Sequence, residues 1–199
     1  PSFRAEKSRT RRHLTEFWRA EVEAAWVHNE QMMTQEEAML AAIIAAVLAN
    51  NRPELERLGR DPVILETVKP PFERMKYAEV LEQLNGMGFD LAWGDDFGYR
   101  EEKALTQERS QPLYITHFPR EKGFYHRPDP AEPKSLVCHD LLAPEGYGEI
   151  IGGGERVWSP EELTERITEE GMDPESYGWY LDLRKFGSVP HSGFGLGLD

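Results

Sequence analysis

The sequence predicts an α+β domain, an antiparallel sheet with helices set unevenly between its strands. Three observations lead there. Strand-like runs recur at Ser2–Ser8, Glu16–Val27, Leu113–His117, Phe124–Arg127, Ser135–Leu142 and Glu149–Trp158. Their spacers hold the Pro and Gly of turns. Helical signals do not alternate with single strands, as a doubly wound sheet would require; they gather near 34–59, 77–84 and 159–187.

Each element has a local reason. Ser2–Ser8 and Glu16–Val27 read as two strands joined by a loop at Arg9–Thr15. Alternation in Glu21-Val22-Glu23-Ala24 suits a strand with one wet face, with a helix as the rival reading. Thr34 with Glu37 three residues later forms a capping box, and Met39–Leu48 is apolar nearly all round, so this helix is predicted to be buried. Pro53 sits at the start of a second helix that ends near Gly59. Lys69-Pro70-Pro71 is a connector. Tyr77–Leu84 is a short helix stopped by Asn85-Gly86. Ser159-Pro160-Glu161-Glu162 combines an N-cap, a helix-first proline and a capping glutamate, and Gly171 ends that helix. Asp173-Pro174 starts another, closed by Gly187, and the chain finishes on the glycine-rich Gly193–Gly197.

Composition narrows the function classes. With 199 residues, 39% hydrophobic and 30% charged, the chain fits one soluble, globular domain with a real core. Its longest apolar stretch, Ala38–Ala49, is about twelve residues, short of the roughly 20 of a membrane helix. The lone Cys138 cannot form an internal disulfide, which points to a reducing cytoplasm. A net charge of -13 argues against a general nucleic-acid sleeve. Basic residues crowd only at Arg4, Lys7, Arg9, Arg11 and Arg12, so anions are expected to be handled there. His28, His126 and His139 lack zinc-ligand spacing. Cys138 reads as a buried or strand-facing thiol, and Met32, Met33 and Met39 as packing.

Three constellations point to chemistry. The first is Phe3-Arg4-Ala5-Glu6, a basic loop, and Arg12-His13-Leu14-Thr15-Glu16-Phe17. Together they resemble motif 2 of the class II aminoacyl-tRNA synthetases, two antiparallel strands and a loop that grip ATP. The resemblance implies ATP-binding roles for Arg4, Ala5, Glu6, Arg12, His13, Leu14 and Phe17, with Arg4 catalytic. The residue types suit those roles. A strand-borne arginine offers a rigid fork of donors to an α-phosphate, and an aromatic ring can stack on the purine.

The second, Gly148-Glu149-Ile150-Ile151-Gly152-Gly153-Gly154-Glu155-Arg156, is similar to a segment of the asparaginyl and aspartyl members of that family. A triple glycine in a strand usually means that something approaches the backbone closely. The resemblance implies that this is the amino acid and its adenylate. It implies Mg²⁺ on Glu149 and Asp140, with Glu149 also serving ATP, and amino-acid contacts from Glu6, Gly152, Arg156 and Gly193. Two hard carboxylates plus water are what Mg²⁺ prefers.

The third, Arg184–Ser192 running into Gly193–Asp199, resembles the start of motif 3 and implies ATP contact at Gly197. Smaller matches, Trp93–Gly98, Leu113–Pro119 and Leu142–Tyr147, fall in the order seen in asparagine-specific members. The resemblance covers essentially the whole chain. It implies a partial catalytic domain over 1–199, cut at both ends: motif 2 at 1–27, a helical segment at 34–59, an amino-acid and Mg²⁺ segment at 135–158, and the start of motif 3 at 187–199. Motif 1, the anticodon-binding domain and the motif 3 arginine have no counterpart in these residues.

The function so implied is ATP-dependent activation of asparagine to asparaginyl-adenylate and its transfer to tRNA(Asn), in the cytoplasm, by a protein that is homodimeric at full length. Arg156 alone would also welcome aspartate, so a neighbouring acid must offset it or accept from the amide; Glu6, Glu21 and Glu155 are the candidates. A non-discriminating aspartyl-tRNA synthetase, an asparagine synthetase-like paralogue and a non-catalytic nucleotide- or partner-binding paralogue remain alternatives.

Overall fold

The computed structural model describes residues 1–5 and 14–198. Glu6, Arg12 and His13 lie outside the described residues. At the start, β1 (Ser2–Phe3) pairs antiparallel with β2 (Glu16–Phe17), and the Arg4 amide donates to the Thr15 carbonyl at 2.9 Å. The run read as one returning strand is divided at Trp18. Its second part, β3 (Arg19–Ala25), leaves the hairpin and enters the main sheet. The strand reading of Glu21–Ala24 holds there: Ala20, Val22 and Ala24 are half-buried while Arg19, Glu21 and Glu23 face outward.

The remaining elements are α1 (Asn29–Asn50), α2 (Arg52–Arg57), α3 (Pro62–Thr67), β4 (Glu73–Lys76), α4 (Tyr77–Gly86), α5 (Tyr99–Thr106), β5 (Leu113–Thr116), β6 (Cys138–Ala143), β7 (Gly148–Glu155), α6 (Pro160–Glu169), α7 (Gly178–Lys185) and β8 (His191–Gly197). The six-stranded sheet runs β3-β8-β7-β6-β5-β4. All its pairs are antiparallel except β4–β5, which α4 and α5 connect as the crossover that a parallel pair needs. The predicted α+β class is therefore the observed one.

Alternation along the strands sends side chains to two faces. Tyr114, Leu141, Ile151, Phe194 and Leu196 pack with Met32 and Met33 of α1 on one side. Ile115 and Leu142 meet Tyr77, Val80, Leu84 and Leu105 of α4 and α5. Val157, Leu163, Ile167 and Leu181 make a third cluster under α6 and α7.

Several expectations change. α1 starts at Asn29, not Thr34, because Met32 and Met33 are drawn into the sheet core; Gln31 Oε1 accepts from the His28 amide at 3.0 Å. Glu37, expected to cap Thr34, accepts from the Phe72 amide at 2.8 Å and pairs with Arg74. The apolar run 39–48 is not the buried part. The helix outruns the sheet, so its buried residues are Asn29, Met32, Met33, Glu36 and Glu37, and Ile43 is 43% exposed. By length and hydropathy alone this 22-residue helix could cross a bilayer. Its buried glutamates tie the start of the helix to the domain, Glu36 through His139 of β6 and Glu37 through the Phe72 amide.

Phe124–Arg127 is not a strand. It joins its neighbours through isolated bridges at His126 and Pro128, and the prolines at 128, 130 and 133 cannot donate to a ladder. β6 starts at Cys138 for the same reason. Asp173 caps a 3₁₀ turn at Pro174–Tyr177 that continues into α7. Ser159 caps α6 as predicted, its Oγ accepting from the Glu162 amide at 3.3 Å. Cys138 is buried, which pushes its thiol up to about 12.

Candidate active site

The face of the sheet opposite α1 opens on a cleft of about 1510 Å³. Its floor is the wet face of β3 (Arg19, Glu21, Glu23) with Gly195 and Gly197 of β8 and Asp140, Glu149 and Gly152 of β6 and β7. The β1–β2 hairpin supplies Arg4, Leu14 and Phe17 to the same cleft. Arg4 and Glu149, 145 positions apart, thus line one cavity.

At one end the Arg4 guanidinium lies over the Phe17 ring, 5.6 Å from its centroid, a cation–π contact that presents charge and aromatic surface together. Ala5 is exposed and is not part of the described lining.

In the middle, Glu149 and Asp140 converge. A Cβ at Gly152 would lie 3.2 Å from Glu149 Oε1 and 3.3 Å from Asp140 Oδ1, so both carboxylates lean over this glycine. Burial and the negative charges of Glu149, Glu102 and Asp96 push the Asp140 carboxyl well above its ordinary range, although Lys122 opposes them. Glu102 accepts from the Glu149 amide at 3.2 Å. It stands on α5, a helix that the sequence did not betray. Among the described residues no three His, Cys, Asp or Glu side chains converge tightly enough to enclose a metal. Two carboxylates beside an open cleft, with Glu102 and Asp96 adding negative charge, nevertheless fit Mg²⁺, which keeps several waters and takes few protein ligands.

The raised pKa has a sign. A carboxyl whose folded pKa lies above its unfolded one supports the fold when protonated, and that support is lost as pH rises through the folded value. Asp140→Asn should therefore raise the melting temperature of the metal-free protein at pH 7, and a rise expected on adding Mg²⁺ to the wild type should be absent from the variant. Calorimetry with and without Mg²⁺ checks both.

At the far end stands Arg156. Its Nε and Nη2 donate to Glu23 Oε1 at 3.1 and 2.7 Å, and its Nη1 lies 3.4 Å from His126 Nδ1. Glu23 was not among the three candidate acids. Of those, Glu21 lines the cleft and pairs with Arg19 at 2.5 Å. Glu155 is buried against Arg127 and His28, outside the described lining, and Glu6 is outside the described residues. Gly193 does not line the cleft either. It sits opposite Glu23 in the β3–β8 register, and a Cβ there would fall 2.2 Å from the Glu23 carboxylate. Its role is to make room for that acid.

The glycine run has a similar explanation. What crowds Gly153 is His139 Nε2, 2.6 Å from its would-be Cβ, and what crowds Gly154 is His126 and Cys138. Only Gly152 turns to the cleft carboxylates. His139 is wholly buried between Asn29 and Glu36, each at 2.8 Å, and Glu36 also accepts from the Tyr114 hydroxyl at 3.0 Å. Gly153→Ala drives a methyl into this network and into the Gly193 carbonyl 2.9 Å away. A loss of about 1–3 kcal/mol of stability is expected, read from urea unfolding.

A family model described as tRNA synthetases class II (D, K and N) matches residues 1–199. The asparagine--tRNA ligase of Thermoplasma acidophilum is 53% identical over 200 residues, covering 100% of this chain and 47% of that protein. That of Pyrococcus abyssi is 51% identical, with 100% and 46% covered. Among solved structures, asparaginyl-tRNA synthetase from Pyrococcus horikoshii complexed with asparaginyl-adenylate superposes with a TM-score of 0.93 at 49% identity, covering 99% of this chain and 46% of that one. An aspartyl tRNA synthetase from Entamoeba histolytica gives 0.85 at 30% identity, with 98% and 41% covered. The chain thus spans about half the length of the curated relatives it matches. With a family model matched from end to end and the catalytic sheet of its solved members reproduced, the chain belongs to the class II tRNA synthetases of the D, K and N group.

Proposed function

We propose that the full-length protein activates asparagine with ATP and transfers it to tRNA(Asn). The observation that supports this best is the sharing of one cleft by Arg4 with Phe17, the Asp140–Glu149 pair and the Arg156–Glu23 pair. Relatives named as asparagine--tRNA ligases, and a neighbour holding asparaginyl-adenylate, point the same way.

In this reading the motif 2 hairpin holds ATP, with Phe17 stacked on the purine and Leu14 and Gly197 closing around it. The asparagine carboxylate attacks the α-phosphorus, pyrophosphate leaves, and Arg4 neutralises the charge that gathers on the phosphoryl oxygens. Asp140 and Glu149 would hold Mg²⁺, which when bound supplies a Lewis acid for the phosphate charge. The terminal ribose of the tRNA then attacks the acyl carbon and releases AMP.

Arg156 and Glu23 support asparagine over aspartate. Glu23 takes the side edge of the guanidinium and cancels its charge, leaving a pair of parallel hydrogens at its far edge for an amide oxygen. The second Glu23 oxygen can accept from the amide nitrogen. Aspartate would bring a carboxylate against Glu23 with no hydrogen to donate, so two like charges would face each other where the amide makes a hydrogen bond.

ATP–pyrophosphate exchange by the full-length protein tests the reading. Exchange with asparagine, little with aspartate, and charging of tRNA(Asn) are expected. Equal exchange with aspartate would favour the non-discriminating enzyme, and adenylation without charging an asparagine synthetase. A homodimer in the cytoplasm completes the proposal, the dimer to be checked by light scattering.

A further inference from the structure

We propose that His126 is a positioning residue for side-chain recognition, seating Arg156 against Glu23 so that the free edge of the guanidinium faces the substrate amide. This deepens the proposed function and rests on it.

The geometry has three parts. Backbone bonds hold the two residues opposite each other: the Arg127 amide donates to the Glu155 carbonyl and the Val157 amide to the Tyr125 carbonyl, at 2.8 and 2.9 Å, on either side of an isolated His126–Arg156 bridge. The imidazole is seated on two glycines. A Cβ at Gly154 would fall 2.6 Å from Nδ1, and one at Gly123 3.1 Å from Cδ2. The Tyr125 ring packs 4.6 Å from the imidazole and lies 5.8 Å from the Arg156 guanidinium. Nδ1 then faces Nη1 at 3.4 Å, the one nitrogen of the guanidinium that does not donate to Glu23.

Chemistry decides what kind of partner can stand there. Arg156 has only donors, so the group behind it must accept. Burial, with the charges of Arg156 and His139, pushes His126 down to about 3 against a bond to the Glu155 backbone, so its ring is neutral, and the tautomer that carries its proton on Nε2 leaves Nδ1 to accept from Arg156. A second carboxylate would also accept, but with Glu23 it would leave the cluster negative. A neutral imidazole leaves Glu23, Arg156 and His126 at zero net charge, which matches an uncharged amide. Sequence alone gave no sign of this, since His126 and Arg156 are 30 residues apart.

The test compares His126→Ala, His126→Gln and His126→Lys in the full-length protein by ATP–pyrophosphate exchange. His126→Ala is expected to raise KM for asparagine about tenfold, with KM for ATP unchanged. His126→Gln, whose carbonyl can accept in the same place, should recover most of that loss. His126→Lys puts a second cation beside Arg156 and should cut the asparagine-to-aspartate preference in kcat/KM about tenfold or more. An unchanged asparagine KM in His126→Ala overturns the proposal. So does an equal loss toward ATP and asparagine in all three variants, which is what mere structural damage would give. A wild type that shows no asparagine-dependent exchange would instead strike at the proposed function itself.

Discussion

Arg4→Ala in the full-length protein lowers asparagine-dependent ATP–pyrophosphate exchange by about 10²–10³-fold or more, mainly in kcat. The size follows from its proposed task. A donor aimed at charge that develops only in the transition state contributes about 3–4 kcal/mol. Binding the ground state equally well would instead appear in KM. Arg4 is exposed at the cleft edge, stacked on Phe17 and tied to the fold through its backbone bond to Thr15. Its side chain is exposed, so its truncation should change the melting temperature far less, in free-energy terms, than it changes exchange. Exchange kinetics and calorimetry on one preparation check both halves. Near-normal exchange would remove Arg4 from the chemistry.

Glu23→Gln has the second large effect, on selectivity. The replacement keeps the shape and one acceptor oxygen, so Gly193 still has room for it. It removes the charge that offsets Arg156. The amino-acid end of the cleft then becomes net positive, and a carboxylate side chain gains where the amide loses. The preference for asparagine over aspartate in kcat/KM is expected to fall by about 10²-fold, combining a weaker amide contact with a stronger carboxylate one. Single-turnover adenylate formation with each amino acid measures it directly. A preference unchanged within a factor of two would move discrimination away from this pair.

These expectations also mark what the sequence made legible. The α+β class, the opening hairpin, the glycine-rich strand read at Glu149–Trp158 and found at Gly148–Glu155, and Ser159 as a helix cap were visible because turns, caps and alternation are local signals. Arg4, Glu149, Asp140 and Arg156 were visible through wording that resembles a family. Glu23 and His126 were not. Each acts through a partner at long range, 133 and 30 residues away in the chain, and only the β3–β8 register and the bridge at His126 bring them to Arg156. Period-2 alternation did put Glu23 on the same face as Glu21, a clue that could have added it to the candidates. β4 escaped because Glu73-Arg74-Met75-Lys76 has no apolar alternation, and the extent of α1 because tertiary packing of Met32 and Met33 outweighed a Thr34 cap. The triple glycine was legible as a place of close approach: Gly152 and Gly153 line the cleft, and side chains at Gly153 and Gly154 would also meet the protein's own histidines and Cys138.

The decisive measurement is a crystal structure of the full-length protein soaked with a non-hydrolysable asparaginyl-adenylate analogue. Its phosphate mimic is expected beside Arg4, its adenine against Phe17, and its side-chain amide within hydrogen-bond distance of both Arg156 and Glu23. Density for the amide anywhere away from that pair, or an analogue bound outside this cleft, would contradict the proposed function.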